Sequence, residues 1–516
     1  MVSIGVELQR LPVQLDASYH PLMLQRLAQT QADEERPFVL LESGEPGSDQ
    51  KQQSMLFFEP VLSVRLTNDG YTLIGHDPLG RQLTEKLRLV TKPDTGVAND
   101  VIDEAERLAQ SPLFGPLRRL MRCFRGKQQD MRHCYFVGAF AFDLAAQAHR
   151  IALPSDNDVP LLDLTLYRFC LHVNHIAGRA ELRQTVLNFE NEGTFHHGDA
   201  LAASAVLAQI HNLVVNVRAK QAPENDKARD FTATPSLALS MDDEQYGQMV
   251  TRAKRSLRAG EVFQIVLARA FETECPNPYL AYQRLCQQNP SPYQFFIQQD
   301  GRVLFGASPE RALKVEMTSQ GWKARLYPIA GTRARGLVNG VLDSELDERR
   351  ECALRTDAKE QAEHLMLVDL ARNDLARVAR GSNRRVIRLL DVDRYSKVMH
   401  LVSEVEATLA PPFDALAAFE ATMHMGTLIG APKPRALELI YQYEQHSRGF
   451  YGGAVGHINL AGELDTAIVI RSAEVNQGKA RVMAGAGIVL DSDPRHEAEE
   501  TRIKASAVLS ALGVAL

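Results

Sequence analysis

Apolar positions in the first two hundred residues come in short runs. Phe38–Leu41 and Val61–Leu66 are apolar and rich in β-branched residues, which predicts strands, and Tyr135–Phe142 predicts a further buried run. From Leu201 to Val217 the spacing changes: Val206, Leu207, Ile210, Leu213 and Val214 recur at helical intervals and predict an amphipathic helix. Arg218–Pro235 is polar, poor in large apolar residues and carries two prolines. We therefore read 218–240 as a linker between an N-terminal region, 1–217, and a second unit, 241–516. Ser240 and Asp243 have the form of a capping box. Tyr246, Met249, Val250, Ala253 and Leu257 then repeat at helical spacing and Gly260 supplies the stop. Beyond it strands and helices alternate without an internal repeat, a G-x-G-x-x-G or a phosphate-binding loop, so the second unit reads as α+β.

At 516 residues the chain is too long for a single small core and is expected to form one large or two intimately joined domains. A formal net charge of -6 argues against nucleic-acid or anionic-membrane partners. The basic clusters Arg118–Arg125 and Arg252–Arg258 read as solvated helix faces. None of the six cysteines lies in a C-x-x-C pair, which speaks against a zinc knuckle and for a reducing compartment. No signal peptide and no run of eighteen apolar residues is present, so a cytoplasmic protein is expected.

Candidate chemistry concentrates in the second unit. In Asp357–Asp374 (DAKEQAEHLMLVDLARND), Glu360, Glu363 and His364 share one side of a helix that continues into Leu365, Met366, Leu367, Val368 and Leu370, a run apolar enough to be core. Charges that lead into a buried helix cost free energy unless a cation, substrate or proton pairs with them. A solvated first turn favoured by the helix dipole is the alternative. Gln264 stands in an otherwise apolar strand, where its amide needs partners. Gly331 and Thr332 end the strand YPIAGT, and their N–H groups and hydroxyl suit a carboxylate. Tyr451 opens the turn YGGAVG, and Arg471 follows the apolar strand AIVI, where a buried arginine normally means an anion. Gly485, Ala486 and Gly487 form a turn on a buried strand that allows close backbone approach. On the last helix acids recur at Glu497 and Glu500, with Lys504 one turn further; a surface salt bridge explains that pair equally well. Two separated acidic pairs, one strand-end arginine and several glycine turns fit Mg²⁺ and a small carboxylated substrate.

The blocks FQIVLAR, FGASPE, YPIAGTR, RTDAKEQAEHLMLVDLARNDLARV, VDRYSKVMHLVSEV, MGTLIGAPKPRALELI, YGGAVG, AIVIRSA, AGAGIVLDSDP and EAEETRIKA stand in this order from Met241 to the C-terminus. In these the chain resembles the chorismate-utilising enzymes. With Leu40–Ser43 (LLES) and the extra N-terminal region it is similar to their anthranilate synthase large-subunit branch. The resemblance implies large antiparallel sheets with helices packed outside. It implies Mg²⁺ held by Glu363 and Glu500, and chorismate held by Gly331, Thr332, Tyr451, Arg471, the Gly485–Gly487 turn and Lys504. Glu360 is implied for acid–base work on the hydroxyl and ring proton, and His400 for the elimination of pyruvate. Gln264 replaces the lysine that activates water in isochorismate-forming relatives and fits ammonia. Ala330 replaces the lysine of the aminodeoxychorismate branch.

Ammonia implies a glutamine amidotransferase subunit as partner, since no G-x-C-x-G elbow is present in this chain. A heteromer, a heterodimer or heterotetramer, follows from the same resemblance. Feedback inhibition by L-tryptophan is implied between Leu40–Ser43 and Asn289–Gln294, at Ser43, Pro292, Tyr293 and Gln294; Gln294 stands in place of the family's methionine. The loop after Ser43, GEPGSDQKQQ, also departs from the family pattern. Leu267–Ala268 and Ile429 keep open an enzyme that stops at 2-amino-2-deoxyisochorismate. A non-catalytic paralogue is the third reading.

Overall fold

The structure is a computed structural model that describes residues 2–13, 17, 20–44, 51–91, 104–111, 113–153, 159–189, 204–210, 212, 235–338, 341–395, 398–444 and 446–514. Most of the 218–240 linker, and Leu213 and Val214 of the expected amphipathic helix, lie outside the described residues. Residues 204–210 are helical as expected, with Ile210 buried.

Strand pairing sews the two ends of the chain together. Phe38–Gly44 lies antiparallel between Lys51–Thr67 and Tyr293–Gln299, with Phe38 opposite Phe58 on one side and Gln298 on the other. Tyr135–Phe140 lies in the same way between Leu162–Asn174 and Ala454–Asn459. All pairings among the described residues are antiparallel except that of Ile4–Pro12 with Phe124–Gly126. These pairs belong to one connected sheet system of 22 strands with helices packed outside it, the α+β architecture expected. The three expected N-terminal strands are all present. Their alternating apolar side chains fill shared cores. Phe38 stacks on Phe296 at 5.1 Å, and Tyr279 meets Phe296 edge-on at 5.3 Å.

Two helices bear the candidate acids, and a third packs against one of them. Asp243–Arg258 buries Tyr246, Met249, Val250, Ala253 and Leu257, as their spacing predicts. Its cap differs from the expected one. Asp242 accepts from the Gln245 N–H at 2.8 Å and Gln245 answers at the Asp242 N–H, whereas the Ser240 hydroxyl is spent on the Ala270 N–H. Ser240 already pairs with the neighbouring strand, so the next free carboxylate takes the cap. Gly260, at φ +75°, ends the helix.

Ala358–Ala376 is capped by Asp357, which accepts from Lys359 and Glu360. It buries His364, Leu367, Val368, Ala371 and Leu375, positions three or four residues from one another along one stripe. Leu365, expected in the core, falls off this stripe and is exposed. Pro494–Ala511 is capped by Asp493 and buries Ala498, Thr501, Ala505 and Val508, leaving Glu497, Glu500 and Lys504 on the other side. No described helix is long and apolar enough to cross a membrane.

One basic cluster is not merely solvated. Arg118 is buried and makes two parallel bonds to Asp414, 2.8 and 2.9 Å, because the partner carboxylate comes from a segment some three hundred residues away. Arg252, Arg255 and Arg258 do face water.

Candidate active site

The strand Ile329–Ala334 pairs with Val398–Leu409, and the register is interrupted at Gly331, which sets Thr332 opposite His400. Gly331 sits at φ +77°, and a β-carbon there would lie 3.0 Å from Glu360 Oε2 and 3.1 Å from Leu354. Only glycine lets the strand end press against the acidic helix. His400 Nδ1 is 2.9 Å from Thr332 Oγ1 and 3.3 Å from the Gly331 carbonyl. Burial lowers the imidazole to about 4, with Arg471's positive charge acting in the same direction, so the ring is neutral at physiological pH. Arg333 braces this corner, donating to Glu360 Oε1 at 3.0 Å and to Asp357 Oδ2 at 2.9 Å.

The second wall is built from the strand Gln264–Glu274, which pairs with Lys479–Ile488 so that Ala268 faces Gly485 and Val266 faces Gly487. A β-carbon on Gly487 would lie 2.7 Å from Gln264 Nε2, and one on Gly485 would lie 3.2 Å from Tyr451 Oη. Both glycines therefore open space that the Gln264 and Tyr451 side chains occupy. Burial raises the Tyr451 hydroxyl to about 12, against the pull of Arg448. Lys504 Nζ donates to the Gly485 carbonyl at 3.0 Å and pairs with Glu500 at 2.5 Å. Arg471, at φ +51°, donates to the Lys504 carbonyl at 2.5 Å. Burial lowers its guanidinium, with Tyr451 and Glu500 acting against that.

The acidic pairs converge. Burial raises the Glu363 carboxyl, and the negative charges of Glu360 and Glu500 push it further in the same direction against the pull of Lys359. Glu497 is likewise raised by burial and by Glu500. Glu363 and Glu500 are half-exposed, and among the described residues each pairs with a lysine of its own helix, Lys359 at 3.7 Å and Lys504 at 2.5 Å. Among the described residues no three His, Cys, Asp or Glu side chains form a metal cluster. Two carboxylates from facing helices suit a hard cation that takes its other ligands from water and an anionic substrate.

His364, which the sequence groups with the two acids, is not part of this surface. It is fully buried, 2.7 Å from Ser403 Oγ, and locks the helix to the sheet.

Four buried charged residues without an assigned role lie beside these candidates. Glu310, of FGASPE, is buried, accepts from Thr427 Oγ1 at 3.3 Å and is raised by burial to about 8, with Lys504's charge opposing. Arg448 and Glu444 form a wholly buried ion pair at 2.5 Å. Arg448 also donates to the Leu428 and Val266 carbonyls at 2.8 Å and stands over the Tyr451 ring at 6.0 Å; Glu444 accepts from the Ala268 N–H at 2.7 Å. Arg269, fully buried, donates to Thr501 and the Ala498 carbonyl at 2.9 Å, which pins the helix bearing Glu500 to the strand bearing Gln264. An arginine inside the apolar run FQIVLAR is the one signal of this network visible in the chain.

A second cavity, of about 360 Å³, opens where Leu41–Gly44 pairs with Tyr293–Phe295, closed by Arg311, Lys314, His457 and Asp465. Ser43, Tyr293 and Gln294 line it, and the Pro292 carbonyl accepts from the Gly44 N–H at 2.9 Å at its edge. Arg311 Nε, His457 Nδ1 and Asp465 Oδ1 are buried there without a hydrogen-bond partner among the described residues.

The family model of chorismate binding enzymes matches residues 85–510. Anthranilate synthase component 1, pyocyanine specific, of Pseudomonas aeruginosa is 49% identical over 419 residues, 80% of this chain and 76% of that one. Anthranilate synthase component 1 of Escherichia coli is 40% identical over 494 residues, 92% of each chain. The crystal structure of anthranilate synthase component I from Streptococcus pneumoniae superposes with a TM-score of 0.66 at 26% identity, over 89% of this chain and 92% of that one. A menaquinone-specific isochorismate synthase of Escherichia coli shares the fold, with a TM-score of 0.66 at 20% identity over 99% and 95%. These likenesses lead to one assignment: the chain belongs to the chorismate binding enzyme family, among relatives named anthranilate synthase component 1.

Proposed function

We propose that this chain is the large subunit of an anthranilate synthase, which aminates chorismate with ammonia and then eliminates pyruvate to leave anthranilate. The observation that carries the reading is the meeting of Glu363 and Glu500, from helices far apart in sequence, beside the Thr332–His400 and Tyr451–Arg471 corners. Glu363 and Glu500 would hold Mg²⁺, which would supply a Lewis acid toward the substrate's ring carboxylate. Arg471, Tyr451, Thr332 and the Gly485–Gly487 backbone orient the substrate, and Lys504 holds that backbone in place.

Ammonia forms a bond to C2 as the C4–O bond breaks, and the leaving hydroxyl takes a proton and departs as water. Two carboxyls share the acid–base work. Glu310, kept protonated near neutrality by burial, is suited to protonate the hydroxyl. Glu360, bonded to Arg333 and pressed against Gly331, is suited to position the substrate and receive a proton. Gln264 flanks the ring where ammonia adds. With Nδ1–H on the Gly331 carbonyl, His400 offers Nε2 as the base that takes the C2 proton when pyruvate leaves.

The ammonia is supplied by a separate glutamine amidotransferase subunit, as the component 1 names of the relatives support. The cavity at Ser43, Pro292, Tyr293 and Gln294 takes L-tryptophan as feedback inhibitor, with residues 1–217 forming its outer wall and 241–516 carrying the chemistry. All six cysteines are free, which fits work in the cytoplasm. The test is the purified chain with chorismate, Mg²⁺ and ammonium. Anthranilate fluorescence with one pyruvate per product is expected; chorismate consumed without pyruvate overturns the reading in favour of 2-amino-2-deoxyisochorismate.

A further inference from the structure

Arg311 stands where the second cavity and the active cleft are nearest in sequence. Its neighbour Glu310 turns into the cleft, toward Thr427 and Lys504, whereas Arg311 lines the cavity, as successive residues of an extended chain must point opposite ways. Its guanidinium lies 5.2 Å over the Tyr293 ring and 4.8 Å over the Tyr327 ring, and Nε is 3.2 Å from Asp465 Oδ1.

Two of these contacts, and Arg311 itself, open segments that end in the cleft. Tyr327 leads through Pro328 to Gly331 and Thr332. Asp465 lies on the strand Leu464–Ile468, which runs on to Arg471. The third segment is Arg311's own, with Glu310 one residue away. The Arg311–Asp465 pair is close yet poorly aligned: Nε and Oδ1 are both buried without a hydrogen bond. Such a pair loses little when a better-aligned partner arrives.

We propose that Arg311 is the positioning residue through which the cavity's occupant sets the geometry of the active cleft. This rests on reading the cavity as an amino-acid site. A ligand carboxylate takes the guanidinium, its ammonium takes Asp465, and Arg311 leaves Tyr327. Glu310, Thr332 and Arg471 then shift together, so the cavity and the cleft bias one two-state element from both sides.

Linkage makes this testable without turnover, because coupling between two ligands is reciprocal. L-Tryptophan affinity is measured by calorimetry on the full chain with Mg²⁺, with and without chorismate, and with ammonia and glutamine omitted. For the unaltered protein, chorismate is expected to weaken tryptophan binding about 5- to 150-fold. Arg311→Lys is expected to bind tryptophan still, but with an affinity that no longer responds to chorismate. Tyr327→Leu, which cuts only the segment to Thr332, is expected to lower the response partway, and it decides the matter if Arg311→Lys fails to fold.

A wild-type response in Arg311→Lys overturns the proposal. So does complete loss of tryptophan binding in that variant, since Arg311 is then only a ligand contact. If the unaltered protein makes anthranilate but binds no tryptophan, the amino-acid reading of the cavity fails and the coupling with it.

Discussion

Glu363 and Glu500 stand half-open to water, whereas Glu444 and Arg448, on the far side of Tyr451, are wholly sealed. Both regions hold carboxylates, yet they solve different problems. In the cleft, like charges are brought together beside lysines of their own helices, and Glu360 and Glu500 help raise the Glu363 carboxyl against the pull of Lys359. Behind it, every charge is matched: Glu444 serves Arg448 and the Ala268 N–H, and Arg448 serves two carbonyls besides. The cleft holds unused binding capacity; the sealed pair holds the strand and the tyrosine that shape it. Changes in the first should alter turnover and leave stability nearly intact, and changes in the second should do the reverse.

The sharpest test of the open side is Glu363→Gln, which removes one of the two carboxylates and one like charge. Turnover is expected to fall by about a thousand-fold or more, while the melting temperature holds or rises. A variant that keeps its magnesium-dependent rate breaks the comparison. Next comes Glu310→Gln, expected to slow ammonia-dependent amination about 10²–10⁴-fold. The acid form is the working one, so the rate of the unaltered enzyme should decline as pH rises through about 8, and that limb should vanish in the variant. Rates at fixed free ammonia across pH check this.

On the sealed side, Glu444→Gln leaves Arg448 charged and unmatched and should cost about 3–5 kcal/mol in urea unfolding, with kcat of the folded fraction changed far less than in Glu310→Gln. The smallest effect is expected at Gly331, where the strand end presses against Glu360. Gly331→Ala forces a side chain into φ +77° and 3.0 Å from Glu360 Oε2, costing about 1–3 kcal/mol and raising the KM for chorismate.

What was legible in the sequence follows the same divide. The cleft acids were readable because a helix repeats every 3.6 residues, so Glu360 and Glu363, or Glu497 and Glu500, announce a shared face without any tertiary information. That reasoning also erred locally. It placed His364 with the acids and Leu365 in the core, since only the position of the neighbouring sheet decides which edge of a stripe is covered. The sealed network was invisible because its partners meet across the fold. Nothing near Arg269 in the chain indicates Thr501, and nothing near Arg118 indicates Asp414. Glu310 lay inside a quoted block, but its chemistry comes from burial, which a local motif does not report. The strands Phe38–Gly44 and Tyr135–Phe140 were found from composition, yet their partners in the second unit were not.

That interleaving has a consequence for biosynthesis. Tyr135–Phe140 cannot close its edge against Ala454–Asn459 until about three hundred further residues have been made. At roughly 5–20 residues per second this is a wait of about 15–60 s. Through that interval a nascent chain presents unsatisfied strand edges flanked by phenylalanines, the kind of surface that invites pairing with another chain. Production of this protein in a foreign host should therefore depend more on chaperone supply and growth temperature than on the stability of the finished fold.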